Sequence, residues 1–206
     1  MSDMATSPKV YHDPIPLALH THLHQRFLTR ELRLTLRTTS GSLFVATAPK
    51  GHRGPMFLRP SKDRSSAPVA IALRNPYYTA MQIPDPSGIV HSIHVHKEAH
   101  NWSGRHKYSF SVPGIAGTFQ WQKRAQRLVW VRNNSTQETL LIRKWSRLFG
   151  SSSYSDIEFA GQMQSDSLGL VWRMAAIMSL VCVLLTMARR STAVRNTFSV
   201  QATPVC

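Results

Sequence analysis

The chain has 206 residues and is strongly basic, with 25 lysines and arginines against 10 acids and a formal charge of +15. Its 42% hydrophobic content excludes a disordered polyelectrolyte and suffices for one substantial core, so a single domain is expected. The charge attracts phosphate-bearing surfaces, nucleic acid and anionic lipid alike, and two cysteines, Cys182 and Cys206, argue against a disulfide framework and for a reducing, cytoplasmic setting.

Residues 1–19 are polar and broken by Pro8, Pro14 and Pro16, without the continuous apolar run of a secretory signal, and read as a flexible N-terminal arm. Without such a signal, the sequons at Asn101, Asn133 and Asn134 are expected to stay unglycosylated. His20, His22 and His24 would share one face of an extended strand, where imidazoles can hold a transition metal. With few acids to complete a ligand set, a solvated basic face is the favoured reading, and no metal or cofactor is expected.

From Phe27 the two-residue period of strands takes over. Leu32, Leu34 and Leu36 alternate with Arg33, Thr35 and Arg37, followed by a turn at Ser40-Gly41,. Further runs at 43–48, 56–59, 69–74, 77–83, 89–97, 108–112, 118–123, 128–132, 138–144 and 157–160 are separated by Gly-, Pro- or Ser-containing breaks,. In the run from Ile89 to His96, Ser92, His94 and His96 fall on the expected polar side and Ile93 and Val95 on the buried one. Phe119 and Trp121 alternate with glutamines, Val129 and Val131 with Trp130 and Arg132, and Leu140 and Ile142 with Leu141 and Arg143. The expectation is a mainly β chain, an antiparallel meander of about 11–12 strands closed as a sandwich or barrel.

One helix follows. Leu168 to Ala188 reads LGLVWRMAAIMSLVCVLLTMA, with Arg173 its only charge. At roughly 30 Å it matches both a bilayer and a small domain. It is apolar on every side, so either lipid or protein must enclose it. A barrel of this many strands is wider than side chains alone can fill and needs a plug, so the favoured reading is a domain over 20–190 wrapped around a helix at about 167–190. In that reading Arg173 must reach the rim, a carbonyl or an acid. The alternative is a single-pass anchor over 168–188 behind a β domain, with Arg173 snorkelling to one interface. Residues 191–206 read as a polar C-terminal tail without a prenylation pattern,.

The segments KYSFSVPGIAGTFQWQKR, RLVWVRNN, ETLLIRKW and YSDIEFAGQ, followed by the isolated GLVWRMAAIMSLVCVLLTM, resemble the tubby C-terminal-like superfamily. That superfamily comprises tubby-like proteins, the LURP-one-related proteins of plants and the phospholipid scramblases, and the likeness spans roughly Leu17 to Arg190. Small fungal members consisting of little besides this domain are similar in particular. The resemblance implies a barrel around a central hydrophobic helix and, from tubby proteins, recruitment to phosphoinositide-bearing membranes through basic residues. The acidic run and cysteine cluster of scramblases have no counterpart here.

No nucleophile elbow, phosphate loop or metalloprotease motif is present. Asp156 and Glu158, on one strand face, read as partners of nearby cations. The expectation is a non-enzymatic, monomeric binding module, cytoplasmic or membrane-associated, meeting anionic lipid through Lys123, Arg124, Arg127, Arg143, Lys144 and Arg147,. Arg189 and Arg190 form a further basic pair. Nucleic-acid binding is the competing reading, with Trp102, Trp130 and Trp145 as stacking platforms among basic residues.

Overall fold

The computed structural model describes residues 7–25, 32–49, 54–60, 65–74, 78–99, 106–122, 126–132, 136–146, 152–160 and 168–199. The strands are β1 (Ala18–Gln25), β2 (Leu32–Thr38), β3 (Gly41–Ala48), β4 (Met56–Arg59), β5 (Ala70–Arg74) and β6 (Tyr78–Pro84). They continue with β7 (Val90–Ala99), β8 (His106–Phe110), β9 (Thr118–Gln122), β10 (Arg127–Arg132), β11 (Thr136–Ser146) and β12 (Ser152–Phe159). All pairings are antiparallel and each strand lies beside its sequence neighbour, until β1 pairs with β12 and closes the barrel. Closure leaves no sheet edge to be shielded.

Alternation decides which residues face inward. Leu34 and Leu36 are buried while Arg37 is exposed, and Ile93 and Val95 are buried while His94 and His96 are exposed. The interior is filled by α1 (Gly169–Ser199). Every residue from Met174 to Leu184 is buried, as is Trp172, and these join one core with strand residues from around the barrel. A helix buried on all sides has no polar face to turn to water, so its uniform apolarity is accounted for by protein on every side. These residues are therefore the barrel core, which overturns the anchor alternative. Among the described residues, no helix is long and apolar enough to cross a membrane.

The polar groups of the helix are individually accommodated. The Arg173 guanidinium donates from Nη1 to the Ile15 carbonyl at 3.2 Å. Ser179 Oγ accepts from Trp121 Nε1 at 3.0 Å and donates to the Ala176 carbonyl at 2.9 Å. Arg74 Nη2 lies 3.5 Å from the Cys182 carbonyl. Near the start of the helix, Trp172 meets Phe119 and Phe159 edge-on, with centroids 5.4 and 6.2 Å away.

The helix gives the barrel a top, where α1 begins beside Ile15 and Phe159, and a bottom, reached near Arg74. Alternating strand directions put the ends of β2, β4, β6, β8 and β10 and the starts of β3, β5, β7, β9 and β11 at the top. The last residues of β9 and β11 and the first of β10 and β12 lie at the bottom.

Two boundaries differ from expectation. The described part of the N-terminal arm packs on the barrel: Tyr11 and Ile15 are buried, Tyr11 contacts the Phe44 ring at 4.9 Å, and Lys9 N donates to the Pro68 carbonyl at 2.8 Å. Its last residues, Ala18 and Leu19, already belong to β1. At the other end, the helix continues to Ser199 rather than stopping near residue 190. The segment from Ser191 to Ser199 contains neither glycine nor proline, so nothing in it interrupts the hydrogen-bond ladder.

Candidate functional site

Three of the six cations singled out for headgroup binding, Lys123, Arg124 and Arg147, lie outside the described residues. Arg127 opens β10, is exposed, and faces Gln122 of β9 and Ile142 of β11. Ile142 is two residues before Lys144, so Arg127 and Lys144 lie diagonally on the outer face of adjacent strands towards the bottom of the barrel. Lys144 Nζ lies 3.6 Å from Glu158 Oε2, and both side chains are largely exposed. That is a loose, solvent-screened pair and leaves the ammonium able to meet a ligand.

Arg143 is a correction. It is 3% exposed and faces the interior, with Ile157 opposite it on β12. The cause is a bulge. The β10–β11 register shifts between Leu128 and Val129, so Leu128 pairs with Leu141 whereas Val129 pairs with Thr139. Leu140 is the extra residue, and both Leu140 and Leu141 are buried. Beyond a bulge the two-residue phase inverts, turning Ile142 outward and Arg143 inward. Burial pulls the Arg143 guanidinium down to about 10, which still leaves it protonated at neutral pH. It belongs to the interior, not to a headgroup-binding surface.

Trp130 faces inward by plain alternation with Leu128, since β10 keeps an unbroken register with β9. Leu128 and Trp130 face the core, where the Trp130 ring stacks on Phe119 at 5.7 Å and its Nε1 donates to the Ala116 carbonyl at 2.9 Å. Arg132 covers the Trp130 ring at 3.8 Å and ion-pairs with Glu138 at 2.9 Å. This aromatic is therefore no platform for bases. Trp102 lies outside the described residues, as does the side chain of Trp145.

Of the three N-terminal histidines, His20 has a described side chain and those of His22 and His24 lie outside the description. His20 Nδ1 donates to Asp156 Oδ1 at 2.8 Å. A carboxylate only accepts, so the bond fixes which ring nitrogen carries the proton. Among the described residues, no group of three or more His, Cys, Asp or Glu side chains could hold a metal ion.

The barrel also assembles a row that no local pattern announces. Arg37 pairs with His20, His20 with Asp156, and Asp156 with Lys144, directly opposite one another across β2, β1, β12 and β11. All four are exposed. His20 and Asp156 are 136 positions apart in the chain, so register alone brings them together. No family, curated protein or solved structure matches this chain.

Proposed function

We propose that this protein is a non-enzymatic module of tubby-like type that associates peripherally with anionic membranes through the outer surface at the bottom of its barrel. One observation carries the reading: Arg127 and Lys144, chosen from separate charge clusters, lie diagonally on neighbouring strands and are both exposed. The chain segments holding Lys123, Arg124 and Arg147 are joined to those same strands. The excess positive charge of the chain draws it to a negative surface over a Debye length, and each cation at an anionic leaflet contributes about 1 kcal/mol.

The test is co-sedimentation of the full chain with phosphatidylcholine vesicles containing or lacking phosphatidylserine. Binding is expected only to the anionic vesicles and to weaken steeply with salt. Removing two cations worth about 1 kcal/mol each lowers the partition coefficient by about thirtyfold, so Arg127→Glu with Lys144→Glu should lose at least that much. Equal partition of the double variant and the parent protein would refute the proposal. Arg143→Met supplies the contrast, since a cation facing the interior contributes nothing to partition.

A further inference from the structure

Towards the top of the barrel, on the far side of Asp156 from Lys144, the outer wall carries a cleft of about 420 Å3 over the strands that close the sheet. The volume falls within the roughly 300–1,000 Å3 typical of small-molecule sites. Its lining includes Arg37, His20, Asp156 and the hydroxyl residues Thr38, Thr39 and Ser40. Apolar side chains contribute nothing to that set, so the cleft suits a polar, hydrogen-bonding ligand.

The charge pattern narrows the class. One carboxylate is too few for a cation site, and Asp156 is already engaged by His20 and faced from the other side by Lys144. Arg37 is a permanent cation with a planar fork that matches two oxygens of a phosphate. It sits where the β2–β3 register shifts, between Leu36 and Arg37, and a bulge of this kind re-aims the side chain beside it. The hydroxyls next to it are pre-ordered: Thr38 Oγ1 and Ser40 Oγ are 2.8 Å apart, and Ser40 N donates to Thr38 Oγ1 at 3.2 Å. Across the cleft, the His20 ring is hydrogen-bonded to Asp156 at 2.8 Å, with both side chains exposed.

We propose that this cleft binds the phosphate group of a phosphomonoester, with Arg37 as its principal cation, the Thr38–Ser40 hydroxyls as further hydrogen-bonding groups and His20 on the opposite wall. The volume leaves room for the organic part of the monoester as well as its phosphate. The cleft borders the membrane-facing surface proposed above, since Lys144 stands opposite Asp156, but neither Lys144 nor Arg127 lines it, and its ligand does not depend on that reading.

The test uses the full chain labelled with 15N-histidine, with the His20 imidazole resonances identified by their loss in His20→Gln. Inorganic phosphate and O-phosphoserine are titrated at constant ionic strength, balanced with chloride. The expected result is a saturable shift of the His20 ring, weakened at least tenfold in Arg37→Gln, partly restored in Arg37→Lys and unchanged in His94→Gln. A parallel titration with phosphatidic acid vesicles identifies the source of the phosphate. Saturation by the soluble compounds assigns a free monoester, whereas a His20 shift produced only by vesicles, and retained in Arg127→Glu, assigns a lipid phosphate. A shift that grows linearly without saturating, that chloride reproduces, or that persists undiminished in Arg37→Gln overturns the proposal.

Discussion

Ser179 offers a direct test of the helix-in-barrel architecture, because the sign of its effect depends on where the helix lies. On an isolated or lipid-facing helix, Ser179→Ala would be neutral or stabilising, since alanine is the better helix former by about 0.5 kcal/mol. Here Ser179 is fully buried and its hydroxyl is the acceptor for Trp121 Nε1, itself buried. Removing the oxygen strands that indole N–H, and leaving a buried donor unsatisfied costs about 1–3 kcal/mol. For a chain of this length each kcal/mol shifts the melting temperature by about 2–4 °C. Ser179→Ala is therefore expected to melt several degrees below the parent protein in circular dichroism or calorimetry. In a Trp121→Phe background there is no donor to strand, while the Ser179 hydroxyl still has the Ala176 carbonyl. The cost of Ser179→Ala should then vanish, and the double-mutant cycle should give a coupling of about 1 kcal/mol or more. A higher melting temperature for the single variant, or an identical cost in both backgrounds, would refute the enclosed helix.

Two other measurements probe the barrel and its turns. Gly117 has φ +101°, and a Cβ there would lie 2.6 Å from the Val131 carbonyl oxygen and 2.8 Å from Trp130 Nε1; Gly117→Ala should therefore cost more than the ~1–2 kcal/mol of the left-handed backbone alone, and more than Gly88→Ala, where the added carbon meets open space. Equal melting temperatures for the two variants would contradict the close approach of Gly117 to Trp130. The Asp85 carboxyl is held down at about 2, first by the Ser87 hydroxyl and then by His91 and the amides of Ile89 and Ser87. A folded value below the unfolded one means that its stabilisation is complete above pH 4 and is lost as pH falls towards 2. The melting temperatures of the parent and Asp85→Asn should consequently converge over that interval; a constant gap would show that the carboxylate does not anchor the turn.

The helix and the strand count were legible because both are written in local periodicity. The uncharged run from Met174 to Leu184 needs no partner to declare itself apolar all round, and the Phe119–Trp121 alternation predicts its own buried face. Arg173 was also legible: a single charge at the start of such a helix must find a polar group, and it finds the Ile15 carbonyl. The facing of Arg143 was not. Its orientation depends on an extra residue, Leu140, that exists only relative to β10, so correct alternation on either side still yields the wrong face. Trp130 is misread for another reason: Leu128, Val129 and Trp130 are all buried, so the run alone does not say which of Val129 and Trp130 faces the core. The cleft lay further from view, because Arg37, His20 and Asp156 come from the first two strands and the last. A closed register has to be known before those residues become neighbours.

The seam between β1 and β12 and the late position of α1 also fix the timing of assembly. Every inward-facing strand residue is synthesised before the helix that will cover it, and the first strand cannot meet its last partner until nearly the whole barrel has been made. The final contacts therefore join the most distant parts of the chain, and pairings of that kind are slow to form. Until α1 arrives, the twelve strands carry apolar faces with nothing between them, the condition under which strands find partners in other chains. The same helix that completes the core is thus the step that ends exposure to aggregation, and chains cut short before Trp172 should depend on chaperones to remain dispersed.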